Sequence, residues 1–110
     1  MVKQGDIIKL DFDPQSGHEQ AGYRPAVVIS NDFFNTKTNL VIVCPITNTA
    51  RPFPLHIPLD ARTKTTGVIL CEHIKALDLD ARGYKVIEQL PEDLLQEVIA
   101  VVFSEVEFQA

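Results

Sequence analysis

Apolar and polar residues alternate along residues 6–13 (DIIKLDFD), which sets Ile8, Leu10 and Phe12 on one face, and this period of two predicts a β-strand. Residues 14–23 (PQSGHEQAGY) are polar, carry two glycines and predict an exposed loop. At ten residues it exceeds an ordinary hairpin connection, and long ordered loops often carry function. Residues 25–30 (PAVVIS) form the next short apolar strand, and residues 31–39 another polar connection. Residues 40–46 (LVIVCPI) are apolar on both faces, the mark of a central strand, with Pro45 expected at its end or at a bulge. A proline-flanked edge strand at residues 54–59, one strand at residues 67–77 and one at residues 83–88 complete the set. Many short strands separated by turn signals predict a small, mostly β barrel of the α+β kind.

The last element has a different period. Pro91, Glu92 and Asp93 suit a helix start, because proline is tolerated in the first turn and acids complement the positive end of the helix dipole. From Leu94 onward the apolar residues Leu94, Leu95, Val98, Ile99, Val101, Val102 and Phe103 cover an arc of roughly 200° at 100° per residue, wider than the ~100° stripe of a helix with one buried face. Such a helix is covered on two sides, by its own barrel and by a second subunit, or it lies in one deep groove of the monomer. A homodimer is the favoured expectation.

No repeat, low-complexity segment or linker divides the 110 residues, so a single domain over residues 1–110 is expected. Hydrophobic residues at 45% and charged ones at 23% place the chain among globular rather than disordered sequences. No run approaches the ~20 apolar residues of a membrane span, and the amino terminus lacks a signal-peptide core, so a soluble cytoplasmic protein with no membrane partner is expected. Cys44 and Cys71 lie inside apolar runs and predict small buried hydrophobes rather than a disulfide. Neither they nor His18, His56 and His73 show a metal-ligand spacing, so no metal or cofactor is expected.

A net charge of −5 argues against a nucleic-acid partner until its distribution is considered. All ten Lys and Arg lie at or before Lys85, while six acids follow it, so residues 1–85 hold ten bases against nine acids. A basic front surface with an acidic tail is compatible with a nucleic-acid partner.

Three stretches could carry chemistry. Arg24, between Tyr23 and Pro25 where polar loop meets apolar strand, is a good mount for a guanidinium that binds phosphate through a rigid fork; the alternative is a surface ion pair with Glu19 or Asp13. Thr47, in PITNT at the end of the central strand, can donate to a phosphate oxygen, or can simply close the strand in a Ser/Thr turn. His73 and Lys75, two residues apart in EHIK and followed by Arg82, would share one strand face, either pointing into a groove or forming a solvated surface. No nucleophile elbow, P-loop, dinucleotide fingerprint or zinc signature is present. The residues alone therefore support a small mostly β domain with an anion site.

Segment order adds a resemblance. GDII from Gly5, DFDP from Asp11, GHEQAGYRPAVVIS from Gly17 to Ser30, CPIT from Cys44, EHIKALD from Glu72 and PEDLLQEV from Pro91 together resemble the MazF/PemK toxins over nearly the whole chain. The resemblance implies a small SH3-like β-barrel of the MazF/PemK/CcdB type with a carboxy-terminal helix. It further implies a homodimer that cuts single-stranded RNA, messenger RNA above all, at short sequences without metal, and a cognate antitoxin that blocks it. Its catalytic arginine and threonine correspond to Arg24 and Thr47, and its substrate-binding or supporting residues to Glu19, Gln20, Tyr23, Lys75 and Arg82. Tyr23 stands where some relatives carry histidine.

Metal-independent cleavage uses the RNA 2′-OH as nucleophile, leaving a 2′,3′-cyclic phosphate and a 5′-OH. Arg24 would stabilise charge on the phosphate, Thr47 would orient it, and Glu19 is a candidate base. Tyr23, Phe33, Phe34 and Phe53 could stack on splayed bases. The 14–23 loop, beside Arg24, is a candidate antitoxin surface. Two rival readings are an inactive RNA- or protein-binding module and a gyrase poison of the CcdB type. The latter are reported to use a carboxy-terminal Trp-Gly-Ile, whereas this chain lacks tryptophan and ends Val106-Glu107-Phe108-Gln109-Ala110.

Overall fold

The computed structural model describes residues 2–12 and 22–110. In chain order its elements are β1 (Asp6–Asp11), β2 (Tyr23–Val28), α1 (Asp32–Thr38), β3 (Val41–Thr47), β4 (His56–Pro58), β5 (Val68–Leu70), a 3₁₀ turn (Cys71–His73), β6 (Lys75–Leu77), α2 (Leu79–Arg82), β7 (Tyr84–Gln89) and α3 (Glu92–Glu105). The strands form one antiparallel sheet in the order β4-β5-β3-β2-β1-β7, with β6 also pairing with β3.

Side chains alternate across a strand, and β1, β2 and β3 use both faces. Ile7, Val27, Cys44 and Ile46 enter one core, which Leu94 and Val98 of α3 cover. Ile8, Leu10, Ala26, Val28, Val41 and Val43 enter a second core with Val2, Phe12, Leu77 and Leu79. The registers Ile7↔Val27 and Val27↔Cys44 keep like faces together. Burial on both sides is why residues 40–46 lack polar alternation.

Pro45 sits inside β3 rather than at its end. It pairs with Ala26 on one flank; on the other, β6 stops at Val43 and β5 begins at Ile46. A residue without an N–H costs least at such a changeover between two partners.

Several expectations are corrected. Residues 31–39 are not a plain connection but contain α1. Asn31 accepts a hydrogen bond from the Phe34 N–H at 2.9 Å, and Asn39 ends the helix in the left-handed conformation, φ 59°. Residues 67–77 are not one strand: the 3₁₀ turn separates β5 from β6. The short α2, capped by Asp78, precedes β7.

The sheet is also open where a closed barrel was expected, since no ladder joins β4 to β7 among the described residues. Side-chain bonds span this seam instead. Glu88 of β7 accepts from the Lys64 N–H at 3.1 Å, and from the N–H and hydroxyl of Thr65 at 2.8 and 2.7 Å, in the loop between β4 and β5. The mostly β class with a terminal helix stands.

Cys44 and Cys71 are free and buried. A hydrogen bond with Cys71 and burial push the Cys44 thiol far up from its ordinary range, so it stays a neutral packing group. Of the wide apolar arc on α3, Leu94 and Val98 are buried, Leu95, Ile99, Val101 and Val102 are partly covered, and Phe103 is exposed. No helix among the described residues is long and apolar enough to cross a membrane.

Candidate active site

Polar residues take over where the buried rows of β2 and β3 end. The register pairs Val28 with Val43 and Ala26 with Pro45; continued by two residues, it sets Arg24 opposite Thr47. Both extend the row that faces the second core, and Arg24 Nη1 donates to Thr47 Oγ1 at 3.3 Å. The Thr47 oxygen also accepts the Thr49 N–H at 3.2 Å and lies 3.0 Å from Thr49 Oγ1. The Ser/Thr turn and the arginine contact are thus the same feature: the turn fixes a buried hydroxyl that the guanidinium meets. With two N–H donors on its oxygen, Thr47 can donate its own O–H, to Thr49 or to an incoming phosphate oxygen.

Gly67 supports this corner from behind. Its φ is +114°, and a Cβ there would lie 2.4 Å from the Thr47 carbonyl oxygen, so only glycine lets β5 close on the end of β3.

A cavity of about 380 Å³ opens beside Thr47, lined by Thr49, Arg51, Phe53, His56, Glu72 and His73 among others. His56 Nδ1 lies 3.1 Å from the Arg51 carbonyl oxygen, and its Nε2 2.7 Å from Glu72 Oε2. His73 Nε2 is 3.8 Å from the same carboxylate oxygen. The Phe53 ring is tilted 60° to the His56 ring at 5.1 Å and is half exposed. Glu72 Oε1 is buried without a partner among the described residues.

The remaining expected residues are scattered by comparison. Tyr23 is exposed, with Lys9 Nζ 5.4 Å from its ring centroid. Arg82 ends α2 and donates to the Asp11 carbonyl at 3.1 Å; Asp11 pairs with Tyr23, so Arg82 lies at the strand end next to Arg24. Lys75 does not share a strand face with His73, because the 3₁₀ turn breaks the alternation between them. It pairs with Val43, four residues or about 13 Å along β3 from Thr47. Glu19 and Gln20 lie outside the described residues. Phe33 and Phe34 belong to α1, away from the cavity lining.

Sequence reasoning missed His56, Glu72 and Arg51 as a group. The histidine seemed isolated in a proline-flanked strand. It reaches Glu72 only because β4 pairs with β5 in the register His56↔Leu70, which brings it alongside the turn that follows.

With this geometry in place, comparison with known proteins is decisive. The sequence pattern of the PemK-like, MazF-like toxins of type II toxin–antitoxin systems matches residues 3–103. The chain belongs to this family. It is 37% identical over 102 residues to Endoribonuclease PemK of Escherichia coli, covering 89% of this chain and 77% of that protein. It is 40% identical over 79 residues to Endoribonuclease toxin MazF of Escherichia coli (strain K12), covering 72% of this chain and 70% of that protein. In structure this toxin-family chain is similar to MazF from Deinococcus radiodurans (Form-I), with a TM-score of 0.89, 36% identity and 96% of each chain covered. It is also similar to a chain of the MazE–MazF complex (Form-II) from that organism, at TM-score 0.81 and 30% identity, covering 98% of this chain and 97% of that one.

Proposed function

We propose that this chain cuts single-stranded RNA with Arg24 and Thr47 at the scissile phosphate, without a metal. Its family and its identity to Endoribonuclease PemK and MazF make it the endoribonuclease toxin of a type II toxin–antitoxin system. The observation that carries the finer reading is the 3.3 Å contact between the Arg24 guanidinium and the buried Thr47 hydroxyl beside an open cavity.

The RNA 2′-OH attacks the adjacent phosphorus, the O5′ bond breaks, and a 2′,3′-cyclic phosphate and a 5′-OH result. Arg24 swings its fork from Thr47 to the non-bridging oxygens, where it offsets the charge that builds up in the transition state. Thr47 donates its hydroxyl to the same phosphate and fixes its orientation for in-line attack. An arginine with pKa above ~12 makes a poor general base, so Glu19 is the proposed proton acceptor. Tyr23 and Arg82 contact the RNA on the Arg24 side, and Gln20 is a further proposed RNA contact. Phe53 offers its half-exposed ring to a splayed base on the cavity side, as single-stranded RNA recognition favours. Lys75 makes at most a remote phosphate contact.

The wider reading has a cytoplasmic homodimer held through α3 and a cognate antitoxin that covers residues 14–23 and Arg24. MazF of Deinococcus radiodurans is seen with MazE, which supports an antitoxin partner here. Phe103, Val106 and Phe108 are exposed at the carboxy-terminal end, which supports the dimer.

The test incubates wild-type protein and Arg24→Ala with a long unstructured RNA in EDTA and maps both ends of the fragments. Discrete cuts by wild type alone, with cyclic phosphate ends, are expected. Fragments bearing 5′-phosphates would refute the 2′-OH mechanism. No cutting by well-folded wild type would shift the reading to a binding module or a gyrase-directed toxin.

A further inference from the structure

His56 stands between the two walls of the cavity beside Thr47. One wall is the segment after β3 that contains Arg51 and Phe53; the other is the 3₁₀ turn carrying Glu72 and His73. The imidazole is largely buried, with its side chain 10% exposed. One ring nitrogen faces the Arg51 carbonyl at 3.1 Å and the other faces the Glu72 carboxylate at 2.7 Å. Both partners are acceptors. A neutral imidazole has a single N–H and can satisfy only one of them, whereas the doubly protonated ring donates to both.

We infer that His56 in its cationic form is a positioning residue that clamps the two walls of the RNA-binding cavity together, and that loss of one ring proton opens the clamp and weakens RNA binding. The inference rests on the reading that this cavity takes RNA. When the proton leaves, either the Arg51 carbonyl or Glu72 faces a bare nitrogen, and that wall is released. Release of the first moves Phe53, whose ring packs at 5.1 Å on His56. Release of the second frees the only partnered oxygen of Glu72, since its other oxygen is already buried without a partner among the described residues. His56 touches no reacting atom, so its effect falls on substrate affinity more than on the chemical step.

The charged and titratable groups around His56 and its partner Glu72 come from four elements. Glu72 and His73, with Cys71 before them, lie on the turn; Arg51 lies in the facing segment; Cys44 lies on β3; Glu105 approaches from α3. Burial, and then the charge of Glu72, hold the Glu105 carboxyl above its ordinary range, so Glu105 answers to Glu72 across the turn. A pH profile of this region must therefore be assigned to His56 directly.

The experiment follows cleavage of a labelled, unstructured oligoribonucleotide by wild type and His56→Gln from about pH 5 to 8, the range in which histidine charge changes. Nitrogen-15 spectra of the imidazoles, recorded on the same wild-type samples, report the charge of His56. The expected result is a wild-type KM that rises about ten-fold as the two-donor signature of His56 disappears, the low end for losing one hydrogen bond to a charged group, with kcat changed far less. His56→Gln, which cannot titrate and donates only from its amide nitrogen, so cannot serve acceptors on both sides, should show the raised KM at every pH.

If wild type cuts but KM follows the same profile in His56→Gln, or if His56 holds a single N–H throughout, the inference is wrong while the ribonuclease reading stands. If wild type cuts no RNA, both fall. Should His56→Gln not fold, the wild type decides: coincident midpoints of KM and of the His56 spectrum support the clamp, and midpoints more than one pH unit apart overturn it.

Discussion

Arg24 and Thr47 stand 23 residues apart in the chain and 3.3 Å apart in the fold, at the matching ends of two antiparallel strands. The pairing is a matter of register. A slip of one residue between β2 and β3 would turn one of the two side chains to the opposite face. The buried rows behind them, Ala26 and Val28 against Pro45 and Val43, hold the pair in place.

Replacing Arg24 by alanine should lower kcat for RNA cleavage by about 10²–10³, the usual cost of removing one transition-state donor. Arg24→Lys keeps the charge but loses the fork, and should recover only part of that loss. Thr47→Ser should stay close to wild type and Thr47→Val should not, because the hydroxyl is the functional part. Single-turnover rates on one RNA, with circular dichroism to confirm folding, check all three.

Gly67→Ala should destabilise the protein by more than ~1 kcal/mol, since the residue is at φ +114° and the new methyl meets the Thr47 carbonyl at 2.4 Å. The strand end that carries Thr47 must move to relieve the clash, so cleavage should slow as well. Urea unfolding and the rate on one RNA measure the two effects. Unchanged values for both would show that the close approach of β5 to β3 is relaxed.

Glu88 predicts a loss of stability in acid. Desolvation raises its pKa, but the hydrogen bonds from Thr65 and from the Lys64 N–H outweigh it and hold the carboxyl below its ordinary value. A folded-state pKa below the unfolded one means that the stabilisation is complete above the unfolded value of about 4.3 and is lost as pH falls through the folded value. Urea midpoints from pH 7 down to about 3 should therefore drop more steeply for wild type than for Glu88→Gln. At pH 7 the variant should be less stable by about 1 kcal/mol, because the carboxylate is partly exposed to solvent and the replacing amide keeps one acceptor oxygen.

Val98→Ala should cost about 2–3 kcal/mol. The side chain is fully buried where α3 covers the first core, and truncation leaves a cavity that the sheet cannot close. Guanidinium unfolding of the two proteins provides the number, and a change under 0.5 kcal/mol would mean that α3 is loosely seated.

Phe103→Asp should convert a dimer into a monomer. Phe103 is 66% exposed on the outer side of α3, and Val106 and Phe108 beyond it are exposed too. Sedimentation of wild type and variant at equal concentration decides the matter; a wild-type monomer would rule out the α3 interface.

Much of this was legible in the residues. The period-two pattern located β1, the doubly apolar run located β3, and the wide apolar arc located α3, because burial imposes those periods on any chain that folds this way. The motif order pointed to the family and to Arg24 and Thr47. What escaped was local geometry with little hydrophobic signature. A capped seven-residue helix with one buried residue, Asn35, passed as a polar connection, and a three-residue turn inside an apolar run passed as continuous strand.

The sequence by itself determined the apolar rows of β1 and β3, the terminal helix and the family chemistry the chain can carry, since those depend on neighbours in the chain and on the free energy of removing apolar groups from water. Tertiary structure alone decided the open seam bridged by Glu88, the separation of Lys75 from Thr47, and the meeting of Arg51, His56 and Glu72 beside the cavity. Those are set by strand order and register, which bring together groups far apart in the chain, and no local period encodes the distance between them.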